Sequence, residues 1–100
     1  MTFIDAKQKV ATAAQKGRKF KIGVTSLKVW TERLKQSDYS SIYTSIEGIA
    51  QFTDEKLARE WEKLLIDEFH KVAGNQNDPA AGGTGSLTAS DTYVIYVVYN

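Results

Sequence analysis

The stretch "TYVIYVVYN", residues 92–100, decides the fold. From Tyr93 to Tyr99 every side chain is β-branched or aromatic, which favours a strand. Apolar residues occupy odd and even positions alike. Neither face then suits water, and the strand reads as central, or buried on both sides. Such a strand needs partners upstream. Two segments qualify: "KFKIGV" at residues 19–24, and a β-rich stretch around Ile42 and Ile46.

"KFKIGV" alternates charge and bulk. Lys19 and Lys21 point one way, and Phe20 and Ile22 the other, as in a half-buried strand. Gly23 ends the clean alternation and leaves room for a close backbone or ligand approach. Thr25 or Ser26 can cap a helix running to Gln36, with Leu27, Trp30 and Leu34 on its inner side. In "YSSIYTSIEGIAQF", Ile42, Tyr43, Ile46, Ile49 and Phe52 suit one strand or a short hairpin, and Glu47-Gly48 a turn or bulge.

Two further helices flank these segments. Thr2 and Asp5 are spaced as a capping box; Ile4, Ala6, Val10, Ala11 and Ala14 share one face; Gly17 is a stop. In "TDEKLAREWEKLLIDEFHKVAG", Thr53 caps and Asp54 and Glu55 suit the positive helix start. Leu57, Ala58, Trp61, Leu64, Leu65 and Glu68 fall near one stripe, widened by Ile66 and Phe69. Residues 74–91 hold the single proline and four of the seven glycines and read as a flexible loop. The expected order is α-β-α-β-α-loop-β: an α/β (α+β) sheet of about three strands packed with three helices.

The chain has 100 residues, 42% of them apolar and 25% charged, which suits a single domain over residues 1–100 with one core. It has no cysteine, which removes disulfides, thiolate chemistry and cysteine-ligated zinc and fits a reducing, cytoplasmic setting. No apolar run approaches the ~20 residues that span a bilayer. The N-terminal stretch lacks the basic start and apolar core of a signal peptide, so no membrane partner is expected. Charge is divided unevenly. Residues 1–36 hold nine Lys and Arg against two acids, and residues 37–100 hold four against ten. The split suits a polyanion-facing surface; it equally suits two halves that pair with each other.

The residues from Lys19 to Phe69 resemble the GIY-YIG nuclease superfamily, including its small phage-type members. "KIG" (Lys21, Ile22, Gly23) stands where that family has Tyr-Ile-Gly, and Arg33 in "TERLKQ" stands in the place of its arginine. Glu62, Leu65, Ile66 and Phe69 meet its Glu-x-x-Leu-Ile-x-x-Phe helix pattern. No Gly-Ile-Tyr strand precedes "KIG". The last strand, with Tyr93, Tyr96 and Tyr99, could pair beside "KFKIGV" in its place, a permuted sheet. The resemblance implies a metal-dependent phosphodiesterase, with activity retained or lost. Glu62 would hold Mg2+, Arg33 would clamp a phosphate, and Lys21 or Tyr96 would take the proton. Arg18, Lys19, Lys28 and Lys35 would contact nucleic acid. The alternative is a non-catalytic module that binds nucleic acid or a protein partner. Each residue also has a plainer role: Arg33 and Glu62 as solvated helix charges, Trp30 and Trp61 as core, and His70 as a surface residue at a helix end.

Overall fold

The computed structural model describes residues 2–17, 19–26, 43–72, 74–75 and 92–100. Within them the chain is α+β: α1 (Phe3–Lys16), β1 (Phe20–Ser26), β2 (Ser45–Phe52), α2 (Glu55–Phe69) and β3 (Tyr93–Tyr99). That gives two helices among the described residues. The third expected helix lies outside them from residue 27 onward, and the Gly-rich loop lies outside them at 76–91. Thr25 and Ser26 belong to β1 and are not helix caps. Their backbones pair with Val94 and Tyr93, and the ladder carries the strand through Gly23 to Ser26.

β3 is the middle strand, in the order β1-β3-β2, and both pairings are antiparallel. Phe20 faces Tyr99 and Ser26 faces Tyr93 on one side; Ser45 faces Tyr99 and Phe52 faces Tyr93 on the other. Both upstream candidates are therefore partners of the last strand. The register of β2 shifts between Gly48 and Ala50, a bulge that lets Ile49 join the core without breaking the pairing.

Directly opposed residues of an antiparallel ladder share a face. One face carries Phe20, Ile22, Ile95 and Val97, packed against Ala6, Val10 and Ala13 of α1 and Leu65, Ile66 and Phe69 of α2. The other carries Val94, Tyr96 and Val98, clustered with Tyr43. Every residue from Tyr93 to Val98 is buried, as a strand without a polar face requires.

α1 begins with the expected capping box: Asp5 N–H donates to the Thr2 hydroxyl at 3.2 Å, and Thr2 N–H to the Asp5 carboxylate at 3.3 Å. Ile4 departs from its expected place and is 64% exposed. The buried stripe is Ala6, Val10 and Ala13, and Phe3 supplies the apolar start by meeting Trp61 edge-on at 5.2 Å. α2 starts one residue later than expected, with Asp54 as cap accepting from Lys56 N–H at 2.9 Å. Its buried stripe is Ala58, Glu62, Leu65, Ile66 and Phe69. Leu57, Leu64 and Glu68 are exposed: they lie on the flank of the stripe together with Trp61, whose larger ring reaches Phe3 and Phe52. Lys7 pairs with Glu68 at 3.3 Å, so the basic and acidic halves do meet across the two helices. Both side chains are partly exposed, and such a pair contributes at most about 1 kcal/mol.

The far end of the fold is tied by Asn100. Its side chain accepts from Lys19 N–H at 3.0 Å, and its own N–H donates to the Lys19 carbonyl at 3.2 Å. Gly17, the α1 stop, passes so close that a Cβ there would overlap the Asn100 carbonyl. Phe20 N–H donates to the Gly74 carbonyl at 2.9 Å, and Gly74 takes a φ of 91° that favours glycine.

Ser26 is buried with a hydroxyl that has no hydrogen-bond partner among the described residues. Ser26→Ala should leave stability unchanged or raise it by up to about 1 kcal/mol. A loss of more than about 1 kcal/mol in a denaturant melt would show that the hydroxyl finds a partner in solution.

The Thr2 N–H, and after it the Thr2 hydroxyl, hold the Asp5 carboxyl below the usual carboxylate range. A depressed folded value contributes stability above the unfolded value, and that contribution is lost as pH falls through the folded one. The contribution is small, because Asp5 is fully exposed. A side-chain NMR titration should place Asp5 below an ordinary aspartate, and Thr2→Ala should return it upward.

Candidate functional site

The resemblance requires Lys21, Arg33, Glu62 and a tyrosine to surround one phosphate. Lys21 sits on β1, half-buried, opposite Val98. Tyr96 sits on β3, 1% exposed, opposite Gly23 on one side and Gly48 on the other. Val98 and Tyr96 belong to the face away from the helices. Lys21 and Tyr96 therefore share that face, two residues apart along the ladder.

Glu62 is elsewhere. It lies on the buried stripe of α2, 8% exposed, one turn from Ala58, Leu65 and Ile66. Leu65 and Ile66 pack on the helix-covered face of the sheet with Ile95 and Val97. The three-stranded sheet thus stands between Glu62 and the pair Lys21–Tyr96. Period-two alternation puts Lys21 on the opposite side from Phe20 and Ile22, and those two point at the helices. Glu62 also differs from the solvated helix glutamate that its flanking Arg59 and Lys63 suggest. Arg59 reaches back to Glu55 at 3.5 Å, an i,i+4 pair.

A magnesium ion takes about six oxygens, several of them waters. The nearest residues of the buried stripe, Ala58, Leu65 and Ile66, bring no side-chain oxygen to Glu62. Among the described residues no three His, Cys, Asp or Glu side chains stand close enough to hold a cation.

Of the expected nucleic-acid contacts, Lys19 is exposed in the turn between α1 and β1. Arg33, Arg18, Lys28 and Lys35 lie outside the described residues. Two cations that the motif reading left aside stand at the same end as Lys19. Lys16 closes α1, and Lys71 follows α2; both are exposed. Helix periodicity alone could have found them, since both occupy the basic-favouring end of a helix. Phe20 and Phe69 meet edge-on at 6.4 Å, which brings the start of β1 to the end of α2. His70 is exposed at that end, with Nδ1 2.6 Å from the Asp67 carbonyl oxygen. Asn75 donates from its side-chain amide to the Phe69 carbonyl at 2.6 Å, satisfying one of the open acceptors of α2.

Among the described residues no helix is long and apolar enough to cross a membrane. Compared with protein-family models, curated proteins and solved structures, the chain matches none.

Gly23 lies beneath the Tyr96 ring: a Cβ there would overlap the Cζ and hydroxyl oxygen. Tyr96 is fully enclosed and cannot swing away without opening the cluster it forms with Val94 and Val98. Gly23→Ala should therefore cost about 1–3 kcal/mol, read as a lower Tm. Unchanged stability would mean that the ring does not occupy that position.

Proposed function

We propose that this chain is a small, non-catalytic binding module whose cationic end contacts the phosphates of a nucleic acid. The observation that carries this reading is the sheet between Glu62 and Lys21–Tyr96, which keeps the Glu62 carboxylate away from a phosphate at Lys21. Lys16, Lys19 and Lys71 add positive charge at the same end, with Lys21 behind them on β1. Phosphate contacts of this kind need charge and exposure but no buried catalytic geometry.

A second reading, the GIY-YIG-like phosphodiesterase with Mg2+, keeps one observation in its favour. β3 pairs antiparallel with β1, as a permuted sheet requires, and sets a tyrosine opposite Gly23. It lacks support at Glu62.

One experiment separates the two. Fluorescence anisotropy with a short labelled oligonucleotide should show binding at low salt. About three phosphate contacts imply that a roughly fourfold rise in salt weakens binding roughly 20- to 40-fold. Lys19→Ala should weaken binding for every sequence and lower the salt slope by about one. The oligonucleotide should stay intact when Mg2+ is added. Cleavage that disappears in Glu62→Ala would replace the binding reading with the nuclease one. No affinity for DNA or RNA at low salt would remove both and leave a protein-binding module.

A further inference from the structure

Four large apolar side chains are exposed among the described residues: Ile4, Leu57, Leu64 and Val72. Three of them gather at one seam. Phe3 of α1 meets Trp61 of α2, and Lys7 meets Glu68 further along. Ile4 stands three residues before Lys7; Leu57 stands four before Trp61 and Leu64 three after it. Side chains three and four apart share one side of a helix. Ile4, Leu57 and Leu64 therefore rim the contact between the two helices, with the half-buried rings of Phe3 and Trp61 between them. A leucine exposed alone needs no explanation, but a cluster of exposed apolar side chains marks a surface that a partner covers.

The charges beside this patch say which partner fits. Leu57, Leu64 and Lys71 follow one another at heptad spacing, on one line along α2. His70 keeps helical backbone angles past the end of α2, so Lys71 stays near that line. Asp54, the exposed cap of α2, precedes Leu57 by one turn. The row thus reads acid, leucine, leucine, base. Turned end for end about an axis through Leu64, it complements itself. Leu64 meets Leu64 of the other copy, and Leu57 meets the aliphatic stem of Lys71, whose ammonium then points toward Asp54. Laid parallel, the same row would set Lys71 on Lys71 and Asp54 on Asp54, which repel. α1 carries the same order, with Asp5 in its first turn and Lys16 in its last.

We propose that a second copy of this chain covers the patch, in a two-fold dimer with α2 antiparallel to α2 of the other copy. Ile4, Leu57 and Leu64 supply the apolar centre, and two Lys71–Asp54 pairs close its ends. The macrodipoles of the two helix layers then oppose each other, which adds to the preference for this direction. The inference does not rest on the nucleic-acid reading. Lys71 belongs to both surfaces, whereas Lys21 lies on the other side of the sheet.

Sedimentation equilibrium on the full chain tests this. The apparent mass should rise toward twice the monomer value as concentration enters the millimolar range. Leu64→Lys, at a position already exposed, sets two ammonium groups on the axis and should abolish the dimer. Lys71→Glu should weaken it at least roughly tenfold. Asp54→Asn keeps the helix cap, loses the charge and should weaken it by a smaller factor. A monomer at every concentration would overturn the proposal and leave the patch to an unlike partner. A dimer untouched by Leu64→Lys would place the contact elsewhere and overturn it as well. Equal affinity in both Lys71→Glu and Asp54→Asn would refute the antiparallel arrangement, and the proposal with it.

Discussion

Everything described here depends on the burial of β3 on both faces. β1 and β2 are not hydrogen-bonded to each other; within the sheet each pairs only with β3. Val94, Ile95, Tyr96, Val97 and Val98 are all almost wholly removed from water. At about 1.5–3 kcal/mol for each fully buried side chain, the gross contribution is on the order of 10 kcal/mol. That equals the whole net stability of a typical domain. Both helices pack on one face of the sheet, where Ile95 and Val97 of this strand lie between Phe20 and Ile22 of β1 and Ile49 of β2. The pairings also join residues far apart in the chain, as in Phe20 with Tyr99. Such contacts carry loop-closure entropy before they return anything, so the sheet should form late and as a unit.

A strand buried on both faces also divides the polar chemistry. Any residue on β1 belongs to one face or the other, and the register leaves no freedom to exchange them. Phe20 and Ile22 take the helix side, so Lys21 takes the other. Glu62 follows α2 to the helix side. A one-residue slip would bring Lys21 toward the helices, but it would place Phe20 and Ile22 on the opposite face and break the core. The separation of the two groups is therefore enforced by packing energy far larger than a single ion pair could supply.

The strands were legible because β-branched and aromatic runs have few other uses. Both partners of the last strand were visible, as was the bulge at Gly48, whose glycine follows a charged residue in a run of strand formers. The Thr2–Asp5 capping box was legible for the same reason: its two members act locally. What sequence periodicity missed is rotation. It placed Leu57 and Leu64 inside α2 and left Glu62 at the surface. The true stripe is turned by about one residue, which leaves Trp61 on its flank against Phe3 and Phe52. That tertiary contact cannot be read from spacing within α2. Motif matching missed the faces for a related reason: it sees order along the chain and not the side of the sheet to which each residue is assigned.

The basic end has a structural cause that precedes any partner. α1 and α2 run side by side in the same sense, since Phe3 meets Trp61 and, further along, Lys7 meets Glu68. Their dipoles therefore add and do not cancel. Acids gather at the positive starts, with Asp5, Asp54 and Glu55; Lys16 and Lys71 gather at the negative ends. Part of the lysine charge is thus balanced by helix carbonyls within the fold. On the proposed reading, an incoming phosphate would meet ammonium groups that are exposed but already partly neutralised by the dipoles behind them. Affinity would then come from several weak contacts along a backbone. A polymer of phosphates would satisfy that requirement better than a single phosphate group.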